Sequence, residues 1–288
     1  MRNRHLQKEK ESEMKLQTPI DVPQAKTLIR ADEGVIILGS CFVADLGNHL
    51  DASGIDVYIN PFGTLYNPES IVTAVQRLES GIHFTASDCV DMGAGAGKIC
   101  SFHHHTSFAR STVAEFLETA NRSLDDASVR WKKAKTVIVN PDTARCWMRD
   151  GKTVSNCLKR PAAEFTRRMM GVPELSACFG DMVREFPDKH FIFTVSPVRH
   201  LGEGAHLNSL DKSTLLLGID AVTKEYNAEY FPAYEIMMDE LRDYRFFTED
   251  MVHPTQQAVA YIWEKFKTFA FDTDAISSIE EAGKDFRG

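Results

Sequence analysis

Five short apolar runs punctuate the chain: VIILG at 35–39, DVYIN at 56–60, KTVIVN at 135–140, HFIFTVS at 190–196 and EYF at 229–231. Each has strand length and is rich in β-branched or aromatic residues, which suit a buried pleated surface. Segments of helical length lie between them. STVAEFLETANRSLDDASVRWKKA (111–134), DKSTLLLGIDAVTKEY (211–226) and PTQQAVAYIWEKFKTFAF (254–271) carry amphipathic spacing, and PAAEFTRRMM (161–170) predicts a further helix opening on Pro161. Strands alternating with helices predict an α/β fold around a parallel sheet. Residues 81–102 have Gly-Ala repeats and no period, so they read as an irregular insertion, reaching about residue 110, able to cover a site. Residues 1–13 are charged and aperiodic and read as a disordered leader, leaving 14–288 as a single domain. In YFPAYEIMMDELRDYRFF (230–247) the near-helical spacing of aromatic and aliphatic residues reads as core.

Composition narrows the functional classes. Among 288 residues, 33 Lys and Arg stand against 41 Asp and Glu, a formal charge of -8, which argues against nucleic acid as a partner. No apolar run approaches the ~20 residues a membrane helix needs, and the N-terminus lacks a signal-peptide apolar region, so a cytoplasmic protein with no membrane partner is expected. The six cysteines lack C-x-x-C spacing, which speaks against a zinc ribbon or a disulfide framework and for reduced thiols.

In a parallel α/β sheet, ligands bind beyond the carboxyl ends of the strands. Gly39-Ser40-Cys41 falls at such an end, and a nucleophile there would stand at the N-terminus of the following helix, where free backbone N–H groups favour a thiolate and an oxyanion. Small residues that merely let a turn pack closely are the competing explanation. Asp250-Met251-Val252-His253, just before Pro254, has spacing that lets the carboxylate hold one imidazole nitrogen and leave the other as a base. His103, His104 and His105 are expected to line the cleft rather than bind metal, because neighbouring histidines on an extended segment point to opposite faces. Arg199 and His200, followed by Asn208 and Lys212, sit at another strand end, where Arg could hold an anionic substrate group or satisfy loop carbonyls.

The runs LGSCF, INPFGTLYNP (59–68), VSPVRH (195–200), the aromatic segment at 230–247 and EDMVHP (249–254) together resemble the GSCFA-domain family. That family is similar to the SGNH (GDSL-like) hydrolases, and the resemblance implies a three-layer α/β/α sandwich with a parallel central sheet, acyl-transfer chemistry and no cofactor. Carried over position by position, Cys41 takes the nucleophile's place, Ser40 the aspartate's, and Asp250 and His253 the orienting carboxylate and base. Ser40 as nucleophile, with Cys41 a packing residue, is the alternative. The backbone oxyanion block falls at Asn60 to Thr64, centred on Asn60 and Gly63, and the next polar loop at Asn140 to Thr143. Two departures stand out: Asp142-Thr143 replaces a Gly-Thr pair, which puts Thr143 as an oxyanion donor in doubt, and Leu158 stands where relatives often carry His.

The expected activity is therefore an ester hydrolase or O-acyl (acetyl) transferase acting on a carbohydrate or another small hydroxylated molecule. A binding or regulatory protein that keeps the fold without the chemistry is the alternative.

Overall fold

A computed structural model describes residues 17–93 and 95–285, so the leader expected at 1–13 lies outside the described residues. Ten strands occur among them: β1 (Val35–Gly39), β2 (Val57–Ile59), β3 (Val90–Asp91), β4 (Ile99–Cys100), β5 (Thr136–Asn140), β6 (Arg145–Arg149), β7 (Lys152–Val154), β8 (Thr166–Met169), β9 (His190–Phe193) and β10 (Ala228–Tyr230). The helices are α1 (Cys41–Ala52), α2 (Pro68–Ser80), α3 (Val113–Lys133), α4 (Val172–Glu185), α5 (Ala205–Glu225), α6 (Ala233–Glu235), α7 (Gln256–Ala270) and α8 (Thr273–Asp285). No helix among them is long and apolar enough to cross a membrane.

The central sheet has the order β10-β9-β5-β1-β2, and every pairing in it is parallel. Its middle strands are buried on both faces, which explains why β1 and β5 read as unbroken apolar runs instead of alternating ones. Side-chain alternation still sorts them. Ile36, Leu38, Val137 and Val139 pack with α2, α3, α4 and α5 on one face, and Val35, Ile37 and Ile138 pack with α1 and α7 on the other. The three-layer α/β/α architecture follows directly from those two cores.

One expected element is wrong. Residues 161–170 form a short 3₁₀ turn, Ala162–Glu164, and then strand β8, which pairs antiparallel with β6 beside β7. Local propensity permits a helix there, but Phe165 and Met170 are buried at the two ends of the strand and the backbone between them finds its partners on β6. The insertion near 81–110 holds 3₁₀ turns and the β3-β4 hairpin, and the segment at 230–247 forms α6 and a π-helical turn, Ile236–Glu240.

From β1 the chain moves to one neighbour, β2, and later returns on the opposite side as β5. Connections leaving β1 and β5 therefore diverge, which opens a crevice at their carboxyl ends.

Candidate active site

The crevice is built from the last residues of β1 and β5. Gly39 has φ of 152°, and a β-carbon on it would lie 2.2 Å from the Asn140 carbonyl oxygen, so only glycine lets the two strand ends approach. The Ser40 N–H donates to that same carbonyl at 3.1 Å. Its hydroxyl turns back into the sheet, donating to Asn140 Oδ1 at 2.5 Å with Ser196 Oγ 3.2 Å away, and Ser40 is wholly buried. Ser40 is the N-cap residue of α1 but makes no side-chain cap bond, contrary to a capping role, because its hydroxyl is already committed to Asn140.

Cys41, the first residue of α1, is only half-buried. Burial and then the Asp142 carboxylate push its thiol up, while hydrogen bonding from the Phe42 and Cys41 backbone N–H groups pulls the other way without prevailing. The lowered thiol expected at a helix N-terminus is thus overturned: desolvation and a neighbouring negative charge outweigh the partial charge of the helix end.

Asp142, which the sequence motif offered only as a departure, is the electrostatic centre of the crevice. Its carboxylate meets Lys212 Nζ at 3.1 Å and His200 Nε2 at 2.5 Å, and Asp142 is buried from solvent. Burial pushes this carboxyl up, but the Lys212 charge and the His200 hydrogen bond overcome it and hold it well below the ordinary range. Lys212 is itself buried and also donates to the carbonyls of Asp142 and Ser196 at 2.6 and 2.9 Å. Tyr66 shares the same surroundings: burial, then Cys41 and Asp142, raise its phenol to about 12.

The face of α5 that supplies Lys212 supplies Asn208 and Asp211 as well, at helical spacing. Asn208 Oδ1 accepts from the His200 N–H at 2.7 Å, so it shapes the loop after β9. Asp211 accepts from Thr143 Oγ1 and from the Ala144 N–H, both at 2.6 Å. The Thr143 N–H donates to Tyr66 O at 3.1 Å, so neither polar group of Thr143 is left to serve an oxyanion.

The Gly63 N–H likewise closes its own turn onto Asn60 O at 2.7 Å, and Asn60 Oδ1 accepts from the Gly39 N–H at 2.8 Å. This loop braces the end of β1. The Gly63 N–H is therefore committed to its own turn and is not placed as a free oxyanion donor.

Asp250 and His253 form the pair expected from their spacing, with Asp250 Oδ2 on His253 Nδ1 at 2.6 Å. Hydrogen bonds from the His253 N–H, the Thr248 hydroxyl, the His253 ring and the Val252 N–H hold the carboxyl below its ordinary range. The pair is about half-exposed and is tied to the loop after β9: the Arg199 N–H donates to Val252 O at 3.3 Å, its guanidinium reaches Met251 O at 3.4 Å and stacks on Phe247. Arg199 thus serves loop carbonyls, the plainer of its two readings. Among the described residues no hydrogen bond joins His253 to Ser40 or Cys41.

The three adjacent histidines separate. His104 is fully buried among Phe62, Phe84, Phe108 and Phe116, with Nδ1 on Ser101 Oγ at 2.7 Å, and burial lowers its pKa to about 3. It is a core residue and not part of the cleft lining. His105 accepts from the Ser107 N–H and so caps a 3₁₀ turn, and His103 is half-buried against Phe84. Among the described residues no group of three or more His, Cys, Asp or Glu side chains is arranged to hold a metal ion. Leu158 is fully buried in the core, so this position faces inward.

Beside Tyr66 and His200 opens a cavity of about 380 Å³, walled further by Trp147, Arg145, Arg167 and Glu203. Asp142 stood in the sequence only as a departure from the family pattern, Lys212 only as a polar residue after a strand end and Tyr66 only as part of the INPFGTLYNP run; their meeting beside this cavity was not legible because they lie in separate segments. The one legible signal was polar residues at helical spacing on α5.

A parallel five-stranded sheet between two helical layers places the chain among the α/β/α sandwiches. The chain belongs to the GSCFA family, whose model matches residues 34–266. Among solved structures it is similar to an acetyl xylan esterase, Est2A, from the rumen bacterium Butyrivibrio proteoclasticus, at 11% identity and a TM-score of 0.35. That match covers 86% of this chain, which spans 64% of the length of the esterase. No curated protein matches the chain in sequence.

Proposed function

We propose that the protein transfers or hydrolyses an acyl group, with Cys41 as nucleophile and His253, oriented by Asp250, as base. The observation that carries this reading is the contrast between two adjacent side chains: Ser40 is sealed and hydrogen-bonded inside the sheet, whereas Cys41 stands half-exposed at the carboxyl end of β1. With Asp250 on Nδ1, His253 keeps Nε2 to receive the thiol proton. Because the thiol rests protonated, it needs that base.

The sulfur bonds to the acyl carbon, and the resulting oxyanion meets the N–H groups of the first turn of α1. Collapse expels an alcohol, which takes the proton from His253 and leaves a thioester. Water or an acceptor hydroxyl then releases the acyl group. A carbohydrate or another small hydroxylated molecule bearing an acetyl group is the proposed substrate.

Turnover of 4-nitrophenyl acetate and of an acetyl thioester tests the reading, with His253→Ala abolishing it while the far-UV circular dichroism persists. A second reading, a binding protein, has one observation in its favour: the raised thiol and the absence, among the described residues, of a hydrogen bond from His253 to it. Acyl donors that show no turnover above background would favour that reading.

A further inference from the structure

The cavity beside the crevice contains a carboxylate of the protein's own. Glu203 pairs through one oxygen with Arg145 and through the other with Arg167. Arg145 also holds the buried Asp211 at 3.3 Å, and Arg167 lies flat over Trp147, 3.9 Å from the ring centroid. Two guanidiniums, one held by Asp211 and one by Trp147, thus converge on a single carboxylate, a pairing that suits a planar anion.

The carboxylate is the least anchored member of the group. Glu203 ends a 3₁₀ turn, Leu201–Glu203, between Gly202 and Gly204. Gly204 has φ of 94°, open to glycine but not to a side chain, and a β-carbon at either glycine would meet nothing within 4 Å. No atom packs against this turn at either glycine, whereas the arginines rise from the paired strands β6 and β8.

Charge supports the same conclusion. With Glu203 withdrawn, the cavity and its buried wall carry Arg145, Arg167 and Lys212 against Asp142 and Asp211, an excess of one positive charge. Trp147 and Tyr66 supply flat apolar walls beside it.

We propose that this cavity binds a small organic molecule bearing one carboxylate, which takes both guanidiniums in place of Glu203. Glu203 acts as a tethered competitor that holds the site closed until such a ligand arrives. The inference deepens the acyl-transfer reading, because it assigns the substrate, or its acceptor, to singly charged anions.

Calorimetric titration with monomethyl succinate tests it, with uncharged dimethyl succinate as the control. Using full-length protein carrying Cys41→Ala keeps turnover out of the heats, so binding is read whether or not Cys41 is a nucleophile. Monomethyl succinate is expected to bind and dimethyl succinate not. Glu203→Gln should tighten binding about tenfold, the penalty imposed by a latch closed roughly nine-tenths of the time. Arg167→Gln should abolish it. Equal binding of both esters, binding unchanged by Glu203→Gln, or no binding of monomethyl succinate to the Glu203→Gln chain would overturn the assignment. A lack of ester turnover in the Cys41 protein alongside intact binding would instead sink only the acyl-transfer reading.

Discussion

Ser40 and Asn140, a hundred positions apart, join the carboxyl ends of β1 and β5 twice, through a backbone bond of 3.1 Å and a side-chain bond of 2.5 Å. The serine of the GSC turn is consequently a strut. Ser40→Ala would leave Asn140 Oδ1 buried without that donor, at a cost of ~1–3 kcal/mol, read as a lower urea midpoint with an unchanged slope. Ester turnover should fall only in part, because in the proposed mechanism Cys41 is the group that reacts.

Lys212 and Asp142 make a second, larger test of packing against charge. Lys212→Met would leave a buried carboxylate with the His200 hydrogen bond as its remaining side-chain partner across the crevice, and breaking such a buried pair costs up to ~3–5 kcal/mol. The exposed Lys224 and Asp220 pair has the same chemistry in water, and Lys224→Met should stay within ~0.5 kcal/mol. Chemical denaturation of the two variants compares burial directly.

The acid limb of stability follows from the same carboxyl. Its folded pKa is depressed, so its contribution is complete above the ordinary aspartate value of ~3.9 and is lost as pH falls below that toward the folded value. Melting temperature should stay level from this group between about pH 6 and pH 5 and fall as pH drops below about 4 in the parent, and fall less steeply in Lys212→Met, where the depressing charge is gone.

Alkylation reports on Cys41. A thiol held up by burial and by Asp142 should react slowly with iodoacetamide at neutral pH and speed up only beyond the ordinary cysteine value of ~8.5. A rate already at its plateau near pH 7 would mean that the thiolate is stabilised by a charge the structure does not bring to it.

Two histidines rest on two carboxylates, His253 on Asp250 and His200 on Asp142, and the proposed mechanism makes only His253 the base. His253→Ala should cut kcat/KM for an ester by ~10²–10⁴-fold, the range for a lost general base. His200 is held by Asp142 and lines the neighbouring cavity, so His200→Ala should act mainly on KM. The reverse pattern would transfer the base to His200.

The strands were legible because a sheet buried on both faces needs continuous apolar runs, and all five central strands lie within the runs in the sequence except for the start of β10 at Ala228. The Asp250 and His253 pair was legible because it is local. Residues 161–170 were misread because β8 owes its form to a partner strand, which periodicity cannot reveal. His104 looked functional in a histidine run, yet the phenylalanines that bury it come from distant segments. Asp142, Lys212 and His200 lie in three separate segments and meet only because β5 and β9 end, and α5 begins, at one edge.

The assignment of the nucleophile is tested most directly by mass spectrometry of the chain quenched during reaction with 4-nitrophenyl acetate. The account predicts an acetyl group on the peptide containing Cys41, labile to hydroxylamine as a thioester, lost in Cys41→Ala and kept in Ser40→Ala. An acetyl group on Ser40, or undiminished turnover in Cys41→Ala, would contradict it.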